Sequence, residues 1–468
     1  MRLFSMPAIT KRDRPIRIEF VSNKSASPLG GLPAIEALAQ QFGLWKKITA
    51  ATCLDPRSRK SRGYAPELIL AQLLYSFCTG GDSLADAEKL KTDPIAKRLA
   101  GVKTFADETT LGEWLRAQSP ESVQAIGQIT REFIQWVMAK ATPGRWLHNG
   151  QREVFFDDTE LEVSGKTFEK ARVNYEGKLA LSWQVMWVGP FLAAQSLGGH
   201  AEPSGELLPL LEAARSLWKD QSAYFYADSA SSAVKYLEPI AAEGWQWSVS
   251  YNKWTTALER QAQQWPEKEW TDKTVLEWKN GEKVEEHYTW IKHQPESASA
   301  PILFAVVRSK GEKELFWRYS FVACDRARAG SPKAVFQRHH LKGHKEQLFS
   351  EVLSGLDLHH PPCAELLANQ MYYAVAALAY NLLVALKLLH LPDERQQCRV
   401  KTLIREVMIL PGRFVSHARK IVARIYVAPE WLEWWRVAYQ QMTQAPSPAA
   451  EISSHSRTVP HTQASTTG

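Results

Sequence analysis

The sequence has few cysteines, and it has almost none of the apolar segments that would direct a chain to a membrane. Its five cysteines are scattered over 468 residues, and no two of them form a Cys-x-x-Cys pair. An odd, scattered set argues against a disulfide framework and predicts a reducing compartment. The amino terminus is basic and has no apolar signal segment before Lys11. These absences predict a cytoplasmic protein.

One stretch, residues 371–391, is long and apolar enough to suggest a membrane span. It contains Asn381, Lys387 and His390, which are expensive to bury in lipid. The stretch is therefore predicted to be a buried core helix, and no membrane partner is expected.

Neither sign of charge dominates, since 57 Lys and Arg against 50 Asp and Glu give a formal charge of +7. That excess alone is weak evidence for nucleic-acid binding, but the distribution of the basic residues along the chain is more informative. Residues 399–427 are predicted to form basic helices in which only Glu406 opposes Arg399, Lys401, Arg405, Arg413, Arg419, Lys420 and Arg424. A second basic cluster precedes the helix near Pro66 and contains Arg57, Arg59, Lys60 and Arg62. Each cluster could be a solvated face or a surface that contacts phosphates.

Two apolar, strand-favouring runs each end on an aspartate. Residues 153–156 precede Asp157, residues 224–227 precede Asp228, and a third acid, Glu346, lies far downstream. Runs of this kind predict buried strands, so each Asp is expected at the tip of a strand. Carboxylates that converge from such positions can bind a metal ion.

The elements around the two aspartates have an informative order. Further strands are predicted at 179–188 and 191–197, helices at 205–218 and 231–242, and a last strand at 247–251. Together with the two aspartate strands, the order is β-β-β-α-β-α-β. This is the order of the α/β ribonuclease H-like fold, in which the first strand, the fourth strand and a later helix each supply a metal-binding acid.

The chain resembles the DDE-type transposases of bacterial insertion sequences, in the branch where a β-rich insertion separates the second Asp from the Glu. The matching motifs are Asp-x-Thr at 157–159, Ala-Asp-Ser at 227–229, the helix around Glu346, and the later segments 369–370 and 379–383. The resemblance implies that Asp157, Asp228 and Glu346 are the catalytic and metal-binding residues, with two Mg²⁺ or Mn²⁺ ions in each active site. It also implies cut-and-paste transposition, with double-stranded DNA as partner and a homodimer in the DNA complex.

The motif around Glu346 departs from the family pattern. Many relatives carry a Tyr seven residues and an Arg four residues before the Glu, with a Lys seven residues after it. Here His339, Lys342 and Leu353 occupy those places. Lys342 is one helical turn before Glu346 on the same face, from which it can reach a DNA phosphate. Lys345 is the other cation nearest in sequence to the acid.

Six blocks are expected along the chain. They are a helical DNA-binding domain at 1–145, the two parts of the core at 146–251 and 326–392, a β-rich insertion between them at 252–325, a basic helical segment at 393–445 and a disordered tail at 446–468. Asp107 is predicted to cap a helix of the first block. The insertion is expected to form a small sheet.

Aromatic residues and histidines leave further alternatives open. The insertion contains six tryptophans, which could pack the sheet or stack on a flipped base: Trp254, Trp265, Trp270, Trp278, Trp290 and Trp317. The histidines at 339–340, 344 and 359–360 could suggest a zinc site, but their spacing does not match a standard set. They are interpreted instead as DNA-facing or solvated residues.

Two questions remain at the level of the sequence. Adjacent strand residues point to opposite faces, so only one of Asp157 and Asp158 can be the metal ligand. Asp157 is favoured because it is the Asp of Asp-x-Thr, although a turn at the strand end could reverse that choice. The competing functions are a ribonuclease H-like nuclease without strand transfer and a domesticated DNA-binding protein. A transposase would act in the bacterial cytoplasm, at the nucleoid when bound to DNA.

Overall fold

The computed structural model describes residues 23–443, except 61, 166, 175, 219–221, 252–255, 278–280, 326–329, 345 and 418–419. In this part of the chain the helices are α1 (Leu32–Phe42), α2 (Leu44–Ala50), α3 (Pro66–Cys78), α4 (Leu84–Lys89), α5 (Pro94–Leu99), α6 (Glu108–Arg116), α7 (Pro120–Lys140), α8 (Leu207–Ala214), α9 (Val234–Ala242), α10 (Thr256–Gln263), α11 (Pro332–His340), α12 (Glu346–Gly355), α13 (Leu366–His390), α14 (Val400–Leu403) and α15 (Leu432–Thr443). The strands are β1 (Ala26–Ser27), β2 (Arg152–Glu162), β3 (Arg172–Val173), β4 (Leu179–Val188), β5 (Phe191–Gly198), β6 (Ala223–Ala227), β7 (Gln246–Tyr251), β8 (Thr271–Glu277), β9 (Lys283–His293), β10 (Ile302–Gly311), β11 (Arg318–Cys324), β12 (Gly412–His417) and β13 (Lys420–Ile425).

Local signals explain where the amino-terminal helices begin. The Asp107 carboxylate accepts a hydrogen bond from the Thr110 amide at 2.8 Å, which caps α6 as predicted. Ser119 caps α7 in the same way, and Pro120 occupies the first turn, where its missing N–H leaves no bond unmade. The helical character predicted for this block is confirmed for the described residues.

A mixed sheet forms the centre of the fold, with the strand order β3-β4-β2-β6-β7-β11-β10-β9-β8 and β5 paired to β4. Strands β2, β6 and β7 run parallel to one another, and β4 is antiparallel to β2. The strands and helices predicted from residue 153 to residue 251 are present, with the short strand β3 in addition.

The strands of the insertion do not form a sheet of their own. Strand β11 pairs antiparallel with β7, with Val322 opposite Ser250, so β8 to β11 extend the central sheet. The predicted β-rich character is correct, but the expectation of a small separate sheet is wrong. The open edge of β7 offers unpaired backbone groups, and β11 satisfies them.

The expectation that Asp157 lies at a strand tip is wrong. Strand β2 continues to Glu162 because β4 pairs with it from Val154 to Glu162. On its other side, β6 pairs with β2 only from Arg152 to Phe155. Asp157 therefore lies in the middle of a long strand, just beyond the point where its parallel neighbour ends.

Helix α13 is the predicted core helix, and its burial confirms that interpretation. By length and composition it could cross a membrane, but 89% of its most apolar window is buried in this fold. Its fully buried Asn381 bridges to β5, accepting from the Leu192 amide at 3.2 Å and donating to the Leu192 carbonyl at 2.9 Å. Gln370 similarly donates to the Leu197 carbonyl. These polar residues of the family motif join the helix to the sheet.

The basic segment is only partly helical. Helices α14 and α15 agree with the prediction, but residues 412–417 and 420–425 form the antiparallel pair β12–β13, called here the hairpin, and β1 pairs with β12. The helix prediction is wrong there because β-branched residues favour extended backbone and because the two strands pair with each other, with β1 from the distant amino terminus as a further partner of β12. Phe414 and Ile425 pack against the cluster that contains Ile95.

The boundaries of the six blocks stay a prediction. Buried residues from α1 to α15 belong to one continuous hydrophobic cluster that also contains β2, β4 and β6. The helical block and the sheet are thus packed together, and packing alone does not divide them at residue 145.

Replacing Asn381 with Ala should lower the free energy of unfolding by about 2–3 kcal/mol, because the amide and carbonyl of Leu192 would be left without buried partners. Urea unfolding followed by circular dichroism would measure the change. Gln124→Ala, on the exposed face of α7, is the control and should stay within about 0.5 kcal/mol of the parent. Equal stabilities of the two variants would contradict the bridging role of Asn381.

Candidate active site

Strand pairing brings Asp157 and Asp228 side by side. In the parallel ladder Phe155 is opposite Tyr226, and each aspartate follows two residues later on its own strand. Asp228 keeps extended backbone angles (φ −84°, ψ −172°), so the alternation of side chains continues to this residue. Its carboxylate accepts a hydrogen bond from the Ala230 amide at 3.0 Å. Both aspartates therefore lie on the face of the sheet that carries Phe155 and Tyr226.

Helix α11 packs on this same face. The Arg338 guanidinium lies 4.7 Å from the ring centroid of Tyr224 and 5.8 Å from that of Tyr226. It is also 3.7 Å from a carboxylate oxygen of Glu153, which accepts a hydrogen bond from the Tyr226 hydroxyl at 3.0 Å. Side chains alternate along a strand, so those of Glu153, Phe155 and Asp157 point to the same face. Helix α11 therefore covers the face to which Asp157 belongs.

Helix α12 covers the next part of the face. The ring of Phe349 lies 5.8 Å from those of Trp183 and Trp187, which are opposite Thr159 and Phe155 in the β2–β4 ladder. Glu346 is the first residue of α12, one turn before Phe349. The backbone thus brings Glu346 to the Asp157 face, while its side chain lies outside the described part of the structure.

Asp158 lies on the opposite face of β2. It shares that face with Glu160, which pairs with Arg172 at 3.3 Å. Burial, and after it the negative charges of Asp157, Asp228 and Glu160, raise the pKa of Asp158 to about 7, against the opposing charge of Arg172. Of the two neighbouring acids, Asp157 is therefore the one that shares a face with Asp228.

Lys342 is the predicted phosphate-binding residue that the fold brings to the site. Its ammonium lies 5.7 Å from the ring centroid of Phe155, two residues before Asp157. It also borders a cavity of about 620 Å³ whose wall includes Ser229 and Ser250. Lys345 lies outside the described residues.

His339 is neither DNA-facing nor solvated, so that interpretation is wrong. It is 5% exposed, and its Nδ1 and Nε2 lie 2.9 and 2.7 Å from the hydroxyls of Ser248 and Ser250. Burial lowers the pKa of His339 to about 3, and the positive charges of Lys342 and His340 act in the same direction. The sequence feature that could have indicated this contact is the Ser-x-Ser pair of Ser248 and Ser250, on the strand next to Asp228.

The zinc interpretation finds no support in this geometry. Both ring nitrogens of His339 are engaged by serines. Among the described side chains, no group of three or more His, Cys, Asp or Glu could hold a metal ion. The side chains of Glu346 and His344 are not among them.

Two of the remaining predicted DNA contacts, Arg413 and Lys420, belong to the three-stranded sheet of β1, β12 and β13. There Arg413 is directly opposite Arg424, so the two side chains project from the same face of the hairpin. Lys420 pairs with His417 in the backbone ladder, but its side chain is not described, and Arg419 lies outside the described residues.

The described tryptophans of the insertion take part in packing. Trp270 and Trp317 hold the buried Arg308 guanidinium between them, at 4.5 and 4.4 Å from their ring centroids. Trp265 donates to the Thr289 hydroxyl, and Trp290 packs against the smaller cluster beneath α11. Trp254 and Trp278 lie outside the described residues, so a role in base stacking stays a prediction.

Asp157 and Asp228 thus lie together on one face of a mixed sheet, beneath a basic residue and the start of a helix. The family model for the transposase DDE domain group 1 matches residues 9–446. A cryo-EM structure of the piggyBac transposase synaptic complex with hairpin DNA is similar over 92% of this chain and 87% of that chain, with 10% identity and a TM-score of 0.42. The comparison with curated proteins gives no match.

The chain belongs to the DDE transposase family, since the family model spans nearly its whole length. It is a DNA-cleaving transposase enzyme with DNA as its partner. Enzymes of this class use divalent metal ions.

Lowering the pH should reduce the stability of the protein, because His339 is held in its neutral form in the folded state. Its native pKa of about 3 lies below the value of about 6.5 in an unfolded chain, so the unfolded state takes up the proton first as the pH falls. Between pH 7.5 and 5.5 the wild type should lose about 1 kcal/mol more stability than His339→Gln.

Urea unfolding at the two pH values would measure this difference, with the exposed His360→Gln as control. Identical pH dependence in the wild type and His339→Gln would show that His339 is not held neutral by the fold.

Proposed function

We propose that this enzyme carries out cut-and-paste transposition of a bacterial insertion sequence. It cleaves DNA at the terminal inverted repeats and joins the freed 3′ ends to target DNA. The observation that carries the proposal is the placement of Asp157 and Asp228 on one face of adjacent parallel strands, beneath the helix that begins at Glu346. A ribonuclease H-like core is part of this proposal, and the order β5-β4-β2-β6-β7 with three parallel strands supports it.

The residues present suit hard divalent cations. Asp157 and Asp228 supply carboxylate oxygens, which Mg²⁺ and Mn²⁺ prefer, and Glu346 is proposed as the third ligand. Burial is the main cause that raises the pKa of Asp158, and the negative charges of Asp157, Asp228 and Glu160 add to it; a nearby cation would offset the charge part. Two bound ions would activate the attacking oxygen and stabilise the leaving 3′ oxygen.

The side chains around the acids have separate tasks. Lys342 lies over the Asp157 strand, where its ammonium can meet the negative charge of the scissile phosphate. The attacking oxygen belongs to water during cleavage and to the 3′-OH of DNA during strand transfer. One set of protein groups can therefore serve both steps, and no covalent protein–DNA intermediate is required.

The hairpin β12–β13 is proposed to hold the DNA backbone. Like charges directly opposite each other on a hairpin are destabilising, yet Arg413 and Arg424 form such a pair. A phosphate between them would remove the repulsion. Arg419 and Lys420 belong to the same proposed surface.

Assembly and location complete the proposal. Joining two transposon ends requires two active sites close together, so a homodimer in the DNA complex is proposed. The five free cysteines suit the reducing bacterial cytoplasm, where the protein would meet the nucleoid.

Asp157→Ala, Asp228→Ala and Glu346→Ala should each abolish cleavage of terminal-repeat DNA in the presence of Mg²⁺ or Mn²⁺, while DNA binding stays within about two-fold, since each removes a metal ligand and not a phosphate contact. Asp158→Asn is the matched control and should retain cleavage, because it lies on the other face of β2. A gel assay that resolves cut ends from joined products would measure both steps.

Loss of cleavage in Asp158→Asn together with retention in Asp157→Ala would reverse the assignment. Cut ends without joined products from the wild type would favour a nuclease without strand transfer. Cleavage that persists with a chelator would refute the metal site.

The double variant Arg413→Gln/Arg424→Gln should weaken binding to specific and random duplexes alike. It should also reduce the log–log salt dependence of affinity by a slope of roughly one for each DNA phosphate that the variant no longer neutralises. Fluorescence anisotropy at several salt concentrations would measure this slope.

Lys178→Gln/Lys235→Gln removes the same net charge and is the control. Those lysines pair with Glu162 and Glu202 away from the hairpin, so their replacement should leave the slope unchanged. Equal effects of the two double variants would place the DNA path elsewhere.

A further inference from the structure

Helix α11 is tied to all three parallel strands through two adjacent side chains near its carboxyl end. Arg338 contacts β2 and β6 through Glu153, Tyr224 and Tyr226. His339 contacts β7 through Ser248 and Ser250. The chain then passes Lys342 and enters α12 at Glu346. The position of those two functional residues therefore depends on how α11 is seated.

The serines that hold His339 lie beside the catalytic aspartate. The last pair of the β6–β7 ladder is Ala227 opposite Val249, so Asp228 and Ser250 are the next residues on the two strands. Ser229, Ser250, His339 and Lys342 also border one cavity. The contact of His339 with Ser250 is thus made next to the place where the acids converge.

We propose that His339 is a positioning residue that fixes the Lys342–Glu346 segment relative to Asp228 by bridging Ser248 and Ser250. The proposal rests on the proposed function, because it concerns the alignment of groups for DNA cleavage. His339 occupies the position at which many relatives carry Tyr, but in this chain the side chain points into the sheet.

A direct contact of His339 with DNA does not fit the structure. Its side chain is 5% exposed, and both ring nitrogens already have partners. A serine hydroxyl can donate or accept, so either neutral tautomer of the ring satisfies both bonds. Two bonds to alternate residues of one strand restrict both the position and the rotation of the helix end.

The test compares His339→Ala with His339→Asn and His339→Gln. The Asn amide can replace the Nδ1 contact and the Gln amide can replace the Nε2 contact, so each should restore part of what Ala removes. Ser250→Ala is a second, milder variant that removes one hydroxyl. The exposed His360→Ala is the control.

Three quantities are measured: the single-turnover rate constant of cleavage at saturating terminal-repeat DNA, the Kd for that DNA, and amide hydrogen exchange in residues 346–352. His339→Ala should lower the rate constant about 10- to 100-fold, as expected for misplaced catalytic groups. The Kd should change less than about two-fold, and exchange in the first turns of α12 should become faster. Combining Ser250→Ala with His339→Ala should add little, since the two act through one hydrogen bond.

Other outcomes overturn the proposal. A reduced burst amplitude with an unchanged rate constant would indicate only a smaller folded fraction, and a raised Kd with an unchanged rate constant would indicate that His339 touches DNA. If the wild type cleaves no DNA, the proposed function fails. Unchanged amide hydrogen exchange in α12 of both His339→Ala and Ser250→Ala would refute the positioning role alone.

Discussion

The active site depends on where the parallel pairing of β2 and β6 stops. Strand β6 ends at Ala227, so Asp228 leaves the ladder beside Asp157 while β4 still holds β2 in place. The backbone beneath the two aspartates is fixed by packing, because Phe155, Phe225 and Tyr226 of these strands are almost completely buried. The face on which the two carboxylates lie is therefore decided by strand register and not by the aspartates themselves.

Elements whose signals are local could be predicted from the sequence. The cap at Asp107 and the strands on either side of Gly189 follow from neighbouring residues, and the structure agrees with them. The family motifs pointed to Asp157 and Asp228 before any geometry was known. The structure adds the register that places the two aspartates on one face.

Features that depend on distant pairing could not be predicted in this way. Pairing with β4 sets the length of β2, and pairing of β11 with β7 extends the sheet. The hairpin β12–β13 is stabilised by packing against α5 and by pairing with β1. In each case a partner remote in sequence decides between conformations that local propensity leaves close in energy. The burial of His339 belongs to the same group, because its serines lie on a strand far from it in sequence.

In the segment from α11 to α12, the residues that anchor the helix to the sheet are different from the residue that is proposed to act on DNA. Arg338 and His339 make their contacts inside the fold, whereas Lys342 lies over Phe155 at the border of an open cavity. Residues of the first kind are constrained by the sheet, whereas Lys342 would be constrained by the proposed contact with DNA. In this chain the His that stands in place of Tyr is held by Ser248 and Ser250 of β7. A Lys in place of Arg keeps the positive charge but gives up the planar, two-pronged contact with a phosphate that a guanidinium can make. The two departures from the family pattern thus have different physical consequences, the first for alignment and the second for how the phosphate is held.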